Sequence, residues 1–83
     1  MKHLLYILFF FIGNLVAQNQ STFEQANALY TEGKFEDAIT KYQSILDTKQ
    51  HSAELYYNLA NAHYKLNNIA QSIYYYEKSL TLK

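Results

Sequence analysis

Apolar residues follow two different patterns along this chain of 83 residues. Residues 4–12 (LLYILFFFI) form one uninterrupted apolar run. Further along, Phe23, Ala26, Leu29 and Tyr30 recur every three or four residues, which is the spacing that places side chains on one face of an α-helix. The pattern therefore predicts an apolar N-terminal segment followed by amphipathic helices.

The N-terminal segment has the layout of a secretory signal peptide. Lys2 precedes the apolar run, and the small residue Ala17 stands before a polar stretch. A membrane-spanning helix needs roughly 20 apolar residues, and this run is much shorter. We therefore predict that residues 1–17 are a signal peptide cleaved after Ala17, and that residues 18–21 are a short linker. An uncleaved membrane anchor is the alternative.

The rest of the chain repeats itself at an offset of 34 residues. The register pairs Ala26, Asn27, Ala28 and Tyr30 with Ala60, Asn61, Ala62 and Tyr64, and Ile39, Tyr42 and Leu46 with Ile73, Tyr76 and Leu80. A fixed period of this length indicates an array of repeated structural units. We predict one unit over residues 22–49 and a second over residues 52–83.

The first unit contains the signals of two helices. Ser21 and Glu24 are spaced as a capping box, which predicts that a helix begins at Thr22. Gly33 can end this helix because glycine adopts the left-handed conformation without a steric penalty. A second helix is predicted over residues 35–47.

The second unit repeats this arrangement. Ser52 is the predicted N-cap of a helix over residues 53–66, and Asn67 with Asn68 forms the turn. Asparagine can replace the turn glycine because it also enters the left-handed region. The last helix is predicted over residues 69–82.

These repeats resemble the tetratricopeptide repeat (TPR). The resemblance rests on A-x-A-x-Y-x-x-G-x-F-x-x-A-I-x-x-Y-x-x-I-L over residues 26–46, and on the related pattern from Tyr56 to Leu80. The proline that usually closes each TPR unit is missing. The resemblance implies an all-α fold of two helix-turn-helix repeats, with four antiparallel helices that begin a right-handed superhelical array. It also implies a non-catalytic scaffold for protein–protein interaction.

The resemblance further implies a concave groove lined by the first helix of each repeat. The corresponding residues are Phe23, Asn27, Tyr30, Thr31, Tyr57, Asn58, Asn61, Tyr64 and Lys65. Amide groups that both donate and accept hydrogen bonds, beside tyrosine rings, suit a peptide segment. The alternative is that these asparagines are solvated and these tyrosines pack on their neighbours. A clamp for a peptide carboxylate, known in chaperone adaptors of this family, is not expected because Phe23 replaces its cation.

Composition and charge exclude several other functions. Seven basic and seven acidic residues give a formal charge of zero, so no basic surface is expected to hold nucleic acid. The chain has no cysteine, and His51 and His63 lack the spacing of a metal site. A chain this short has little room for an enclosed catalytic pocket. We therefore predict no enzymatic activity, no cofactor and no metal.

The last helix is expected to leave an apolar edge. In a repeat array each unit covers the apolar face of the preceding one, and the end needs a polar cap. We predict that the uncapped edge consists of Ile73, Tyr75, Tyr76 and Leu80. This edge favours a chain that is part of a longer protein or an unusually short gene product, and self-association through the last helix is the second choice.

The predicted leader indicates export to a bacterial periplasm or cell envelope, with membrane contact only if the leader stays uncleaved. The leader followed by F-E-Q-A-N-A-L-Y and L-Y-Y-N-L-A-N-A-H-Y-K-L is similar to the TPR proteins encoded in bacterial aerotolerance operons. The expected function is a scaffold that binds a protein or peptide partner. The alternative is an accessory module of an envelope enzyme or stress-response complex whose active part lies beyond Lys83 or on a partner.

Overall fold

A computed structural model describes the backbone of residues 2–82 and the side chains of residues 14–82. Within these residues there are four helices and no strand. The helices are α1 (Lys2–Thr31), α2 (Phe35–Asp47), α3 (Ala53–Lys65) and α4 (Ile69–Thr81). The predicted all-α fold of two helix-turn-helix repeats is confirmed.

The helices pack as two hairpins. α1 packs on α2, α3 packs on α4, and α2 packs on α3 to join the two repeats. Helix α2 has the predicted bounds, while α3 and α4 each end one residue before the predicted position. Amphipathic spacing located these three helices well because each buries one side on its neighbours.

The two predicted turns have the expected backbone. Gly33 has φ +80° and Asn67 has φ 63°, so both residues are left-handed. The N–H of Lys34 donates to the Leu29 carbonyl at 2.9 Å, and that of Asn68 donates to the His63 carbonyl at 2.9 Å. These bonds close each helix in a Schellman motif, in which a left-handed residue turns the chain back onto the last turn.

Helix α1 begins earlier than the sequence predicted. It passes without a break through residues 18–21, the predicted linker, and through Ser21. The Ser21 hydroxyl accepts a hydrogen bond from the Gln25 side chain at 3.3 Å instead of capping a helix. The predicted helix start at Thr22 is therefore wrong: both residues of the apparent capping box lie inside a continuing helix.

The predicted N-cap of the third helix is confirmed. The backbone N–H of Leu55 donates to the Ser52 hydroxyl oxygen at 3.0 Å. Ser52 has an extended backbone, with φ −151° and ψ 156°, as expected for a residue just outside a helix. Ser52 therefore caps α3 because its backbone is extended, whereas Ser21 has a helical backbone and lies within α1.

Most of the predicted signal peptide lies outside the part of the chain with described side chains. The side chains of residues 1–13 and all of Lys83 belong to the undescribed part. Residues 1–17 as a cleaved leader therefore remain a prediction. Among the described residues, no helix combines the length and the apolar character that crossing a membrane requires.

The core is centred on the contact of α1, α2 and α3. Tyr42 and Leu59 are its two large apolar side chains with almost no solvent exposure. Around them, alanines occupy the places where helices approach closely: Ala26, Ala38, Ala60 and Ala62 are fully buried. This packing sets the spacing between α1 and α3, and thereby the shape of the surface between them.

Candidate functional site

Two asparagine–tyrosine pairs organise the surface between α1 and α3. The Tyr42 hydroxyl donates to Asn27 Oδ1 at 2.5 Å, across 15 residues of sequence. In the second repeat the Tyr76 hydroxyl donates to Asn61 Oδ1 across the same separation. Each repeat therefore uses a tyrosine of its second helix to orient an asparagine of its first helix.

A third asparagine connects the repeats. The side-chain amide of Asn58 donates to Asn27 Oδ1 at 3.1 Å. Asn27 Oδ1 thus accepts two hydrogen bonds, which is the full capacity of its two lone pairs. Within the described residues, the side-chain amide nitrogens of Asn27 and Asn61 donate to no protein group. These two amide groups are donors available to a ligand.

The three asparagines line a small open cavity of about 150 Å³. Five of the nine predicted groove residues lie here: Asn27, Tyr30, Thr31, Asn58 and Asn61. The sixth lining residue, Tyr42, comes from α2 and was not among the predicted groove residues. Its repeated 15-residue separation from an asparagine, seen again for Tyr76, was the sequence signal that could have identified its role.

Three predicted groove residues lie on the second repeat without lining this cavity. The side chains of Tyr57, Tyr64 and Lys65 are exposed. The Tyr57 ring lies 5.8 Å from that of Tyr76, so it continues the surface along α3. We call the combined surface the groove; it consists of the cavity residues Asn27, Tyr30, Thr31, Asn58 and Asn61 together with Tyr57, Tyr64 and Lys65.

Phe23 is placed elsewhere. Its ring is partly buried against the core and lies 5.9 Å from the Tyr42 ring. It lines a second cavity of about 230 Å³, between α1 and the start of α3, with Asn19 and His51. Phe23 is therefore not brought together with the asparagines, because its side chain points towards the helix interface.

The tyrosines that orient the asparagines stay protonated. Burial raises the pKa of the Tyr42 hydroxyl to about 12. The pKa of Tyr76 is also raised by burial, with nearby Tyr57 adding to the effect. Both hydroxyls are therefore neutral donors at physiological pH, and the asparagine carbonyl oxygens remain engaged.

The apolar edge predicted on α4 is only partly formed as expected. Ile73 and Leu80 are 52% and 64% exposed, and Tyr76 is half-buried. Tyr75 instead faces inward, where its ring stacks on His63 with 5.5 Å between centroids. Two positions along a helix correspond to a rotation of about 200°, so Tyr75 lies opposite Ile73.

The two candidate histidines are used in packing. His51 Nδ1 is 2.5 Å from the Tyr56 hydroxyl, and His63 Nδ1 is 3.2 Å from Asn68 Nδ2. The His63 side chain is half-buried, and this burial lowers its pKa. In the described part of the chain, no group of three or more His, Cys, Asp or Glu residues could hold a metal ion.

Comparison with protein-family models agrees with this architecture. A model described as TPR repeat matches residues 26–67, and a model described as tetratricopeptide repeat matches residues 53–83. The chain belongs to the tetratricopeptide repeat family. Repeats of this family generally mediate protein–protein interaction and are generally non-catalytic scaffolds. A search of curated proteins found no match.

Proposed function

We propose that this chain binds an extended peptide segment of a partner protein in the groove, as an exported scaffold of the bacterial periplasm or envelope. The observation that carries the proposal is which side-chain atoms of Asn27 and Asn61 are already hydrogen-bonded within the protein. Their carbonyl oxygens are engaged by Tyr42 and Tyr76, while their amide nitrogens have no protein partner among the described residues.

The groove therefore offers two amide donors at fixed positions. The amide groups of Asn27 and Asn61 can each donate, and the ammonium group of Lys65 adds three further donors. A ligand that presents acceptors complements this surface. The main-chain carbonyls of an extended peptide fulfil the requirement whatever the peptide's side chains are.

The size and composition of the groove favour a peptide over a small molecule. Pockets for small molecules usually enclose about 300–1,000 Å³. The asparagine cavity, at about 150 Å³, is smaller than this range and open. The exposed rings of Tyr57 and Tyr64 extend it and provide contact area at a low cost in conformational entropy.

The experiment is selection of a displayed library of random peptides on the full chain. Enriched peptides are then synthesised, and their affinities are measured by fluorescence anisotropy. Asn61→Asp tests the donor directly, because the carboxylate still accepts from the Tyr76 hydroxyl but no longer donates. We expect Asn61→Asp to weaken binding about tenfold, equivalent to about 1.4 kcal/mol.

A matched pair of tyrosines tests the aromatic part of the groove. Tyr64 and Tyr74 are similarly exposed, at 59% and 53%, but only Tyr64 belongs to the groove. Tyr64→Ala should weaken peptide binding and Tyr74→Ala should leave it unchanged. Equal affinities for the wild type, Asn61→Asp and Tyr64→Ala would refute the groove as the binding site.

The exported location rests on the leader pattern of residues 1–17. Cleavage after Ala17 would retain Asn19, whose amide donates to the Thr48 hydroxyl at 2.9 Å and ties α1 to the end of α2. The intact mass of the product from its own cells tests this part. We expect a product that begins at Gln18; a product that retains residues 1–17 would refute cleavage.

A further inference from the structure

Helix α4 carries an exposed apolar stripe, of which only Tyr76 takes part in the groove, through its hydroxyl bond to Asn61. Ile69, Ile73 and Leu80 are exposed, and Tyr76 between them is half-buried. Their spacing of four, three and four residues places them on one side of the helix. We call these four residues the α4 face.

The first repeat shows how such a face is covered. The residues 34 positions earlier are Phe35, Ile39, Tyr42 and Leu46 of α2. Tyr42 and Leu46 are buried, and Ile39 packs against the same cluster. The side chains of α3 that complete this cluster are Leu55, Tyr56, Leu59 and Ala62. The α4 face therefore continues an interface that already exists between α2 and α3.

A second copy of this chain does not supply the required surface by continuing the stack. The α1 residues equivalent to Leu55 and Leu59 are Ser21 and Gln25. Both are exposed, and their side chains hydrogen-bond to each other at 3.3 Å. The corresponding side of α1 is therefore polar, whereas the apolar side of α3 is already buried on α2.

We propose that the α4 face is a docking site for an amphipathic helix of a partner protein. The partner helix carries the pattern of α3, a leucine followed by an aromatic residue and, three positions later, a second leucine. A length of about 13 residues matches α3. This surface adjoins the groove at Tyr76, whose hydroxyl donates to Asn61 Oδ1, while Ile69, Ile73 and Leu80 are not groove residues. It would therefore add a second partner contact to the peptide-binding function.

The test uses a fluorescein-labelled synthetic peptide with the sequence of residues 51–66, which contains α3. Its binding to the full chain is followed by fluorescence anisotropy. Ile73→Asp introduces a charge on the α4 face and should weaken binding at least tenfold. Gln71→Asp, an exposed change on α4 outside the face, is the matched control and should leave binding unchanged.

Two further controls separate binding at the α4 face from binding elsewhere on the chain. A peptide in which the residues corresponding to Leu55 and Leu59 are aspartate should not bind. Asn27→Asp removes a groove donor on α1, which makes no contact with α4 among the described residues. It should not alter binding of the helical peptide, so failure of the groove and failure of the α4 face are distinguishable. Circular dichroism of Ile73→Asp should match the wild type, because Ile73 is exposed.

Three outcomes would overturn the proposal. The first is no anisotropy change up to the solubility limit of the peptide. The second is equal binding to the wild type and Ile73→Asp, which would mean that the peptide exchanges with α3 inside the chain. The third is a dimer in sedimentation equilibrium that Ile73→Asp dissociates, which would assign the face to a second copy.

Discussion

Removing one hydroxyl from each asparagine–tyrosine pair tests how the scaffold orients its groove. Tyr42→Phe and Tyr76→Phe delete the same atom at equivalent repeat positions. Tyr42 is 1% exposed, whereas Tyr76 is half-buried. The two substitutions therefore compare one hydrogen bond in two environments.

The cost of Tyr42→Phe follows from the local contacts. A hydrogen bond contributes about 0.5–1.5 kcal/mol net, and leaving a buried acceptor without a partner costs more. Asn27 Oδ1 retains the bond from Asn58, so the larger penalty is avoided. We expect a loss of about 1 kcal/mol. For Tyr76→Phe we expect about 0.5 kcal/mol or less, because water can replace the hydroxyl at Asn61.

Thermal and urea unfolding followed by circular dichroism measure both losses. For a domain of 60–100 residues, 1 kcal/mol corresponds to about 4–8 °C in Tm. Tyr42→Phe should therefore lower Tm by about that amount, and Tyr76→Phe by about half as much or less. The urea midpoint should move without a change in slope, since the surface exposed on unfolding is the same.

Comparing the stability lost in Tyr42→Phe and in Tyr76→Phe shows whether burial determines the strength of the tyrosine–asparagine hydrogen bond. If Tyr76→Phe lowers the stability as much as Tyr42→Phe, burial does not determine the strength of the pair. If neither substitution changes the stability, the hydroxyl–asparagine bonds do not hold the groove, and the donor polarity of its asparagines loses its structural support.

Three further predictions concern the helix ends and a histidine. Ser52→Ala should destabilise the fold by about 1 kcal/mol in urea unfolding, because it removes the cap of α3. Ser21→Ala should have little effect, because Ser21 lies within a helix. Equal losses would mean that Ser21 is also a cap. Gly33→Ala should cost about 1–2 kcal/mol in the same assay, from the left-handed backbone alone, since an added Cβ meets no atom within 4 Å. His63 has a lowered pKa in the folded state because of burial, so its protonation favours unfolding. The contribution of His63 to stability should therefore fall as the pH drops below 6.5 towards the lower folded-state pKa and then level off. A pH series of thermal melts on the wild type and His63→Gln measures this contribution. Identical pH dependence of the two proteins would contradict a lowered pKa of His63.

The groove was predictable in part from the repeat register. Asn27 and Asn61 were located because they occupy equivalent positions on the first helix of each repeat. Phe23 belongs to the same predicted set, yet its ring packs against Tyr42. The repeat pattern identifies a position on a helix, but neighbouring side chains decide whether a large ring there turns towards solvent or towards the core.

Local sequence rules determined the helices α2, α3 and α4 and the turns at Gly33 and Asn67. These features depend on backbone preferences and on contacts within one or two helical turns, which the sequence displays directly. The same local rules failed at Ser21, because a capping signal has no effect when the preceding residues are also helical.

Tertiary structure decided which atoms of the site are engaged. The bond from Asn58 to Asn27 joins residues 31 apart, and the inward position of Tyr75 beside His63 depends on how α3 crosses α4. Such contacts require the helices to be packed at a definite distance and angle. The sequence determined that this chain is a tetratricopeptide repeat. Helix packing determined that the carbonyl oxygens of Asn27 and Asn61 accept from tyrosines, while in the described part of the chain their amides donate to no protein group.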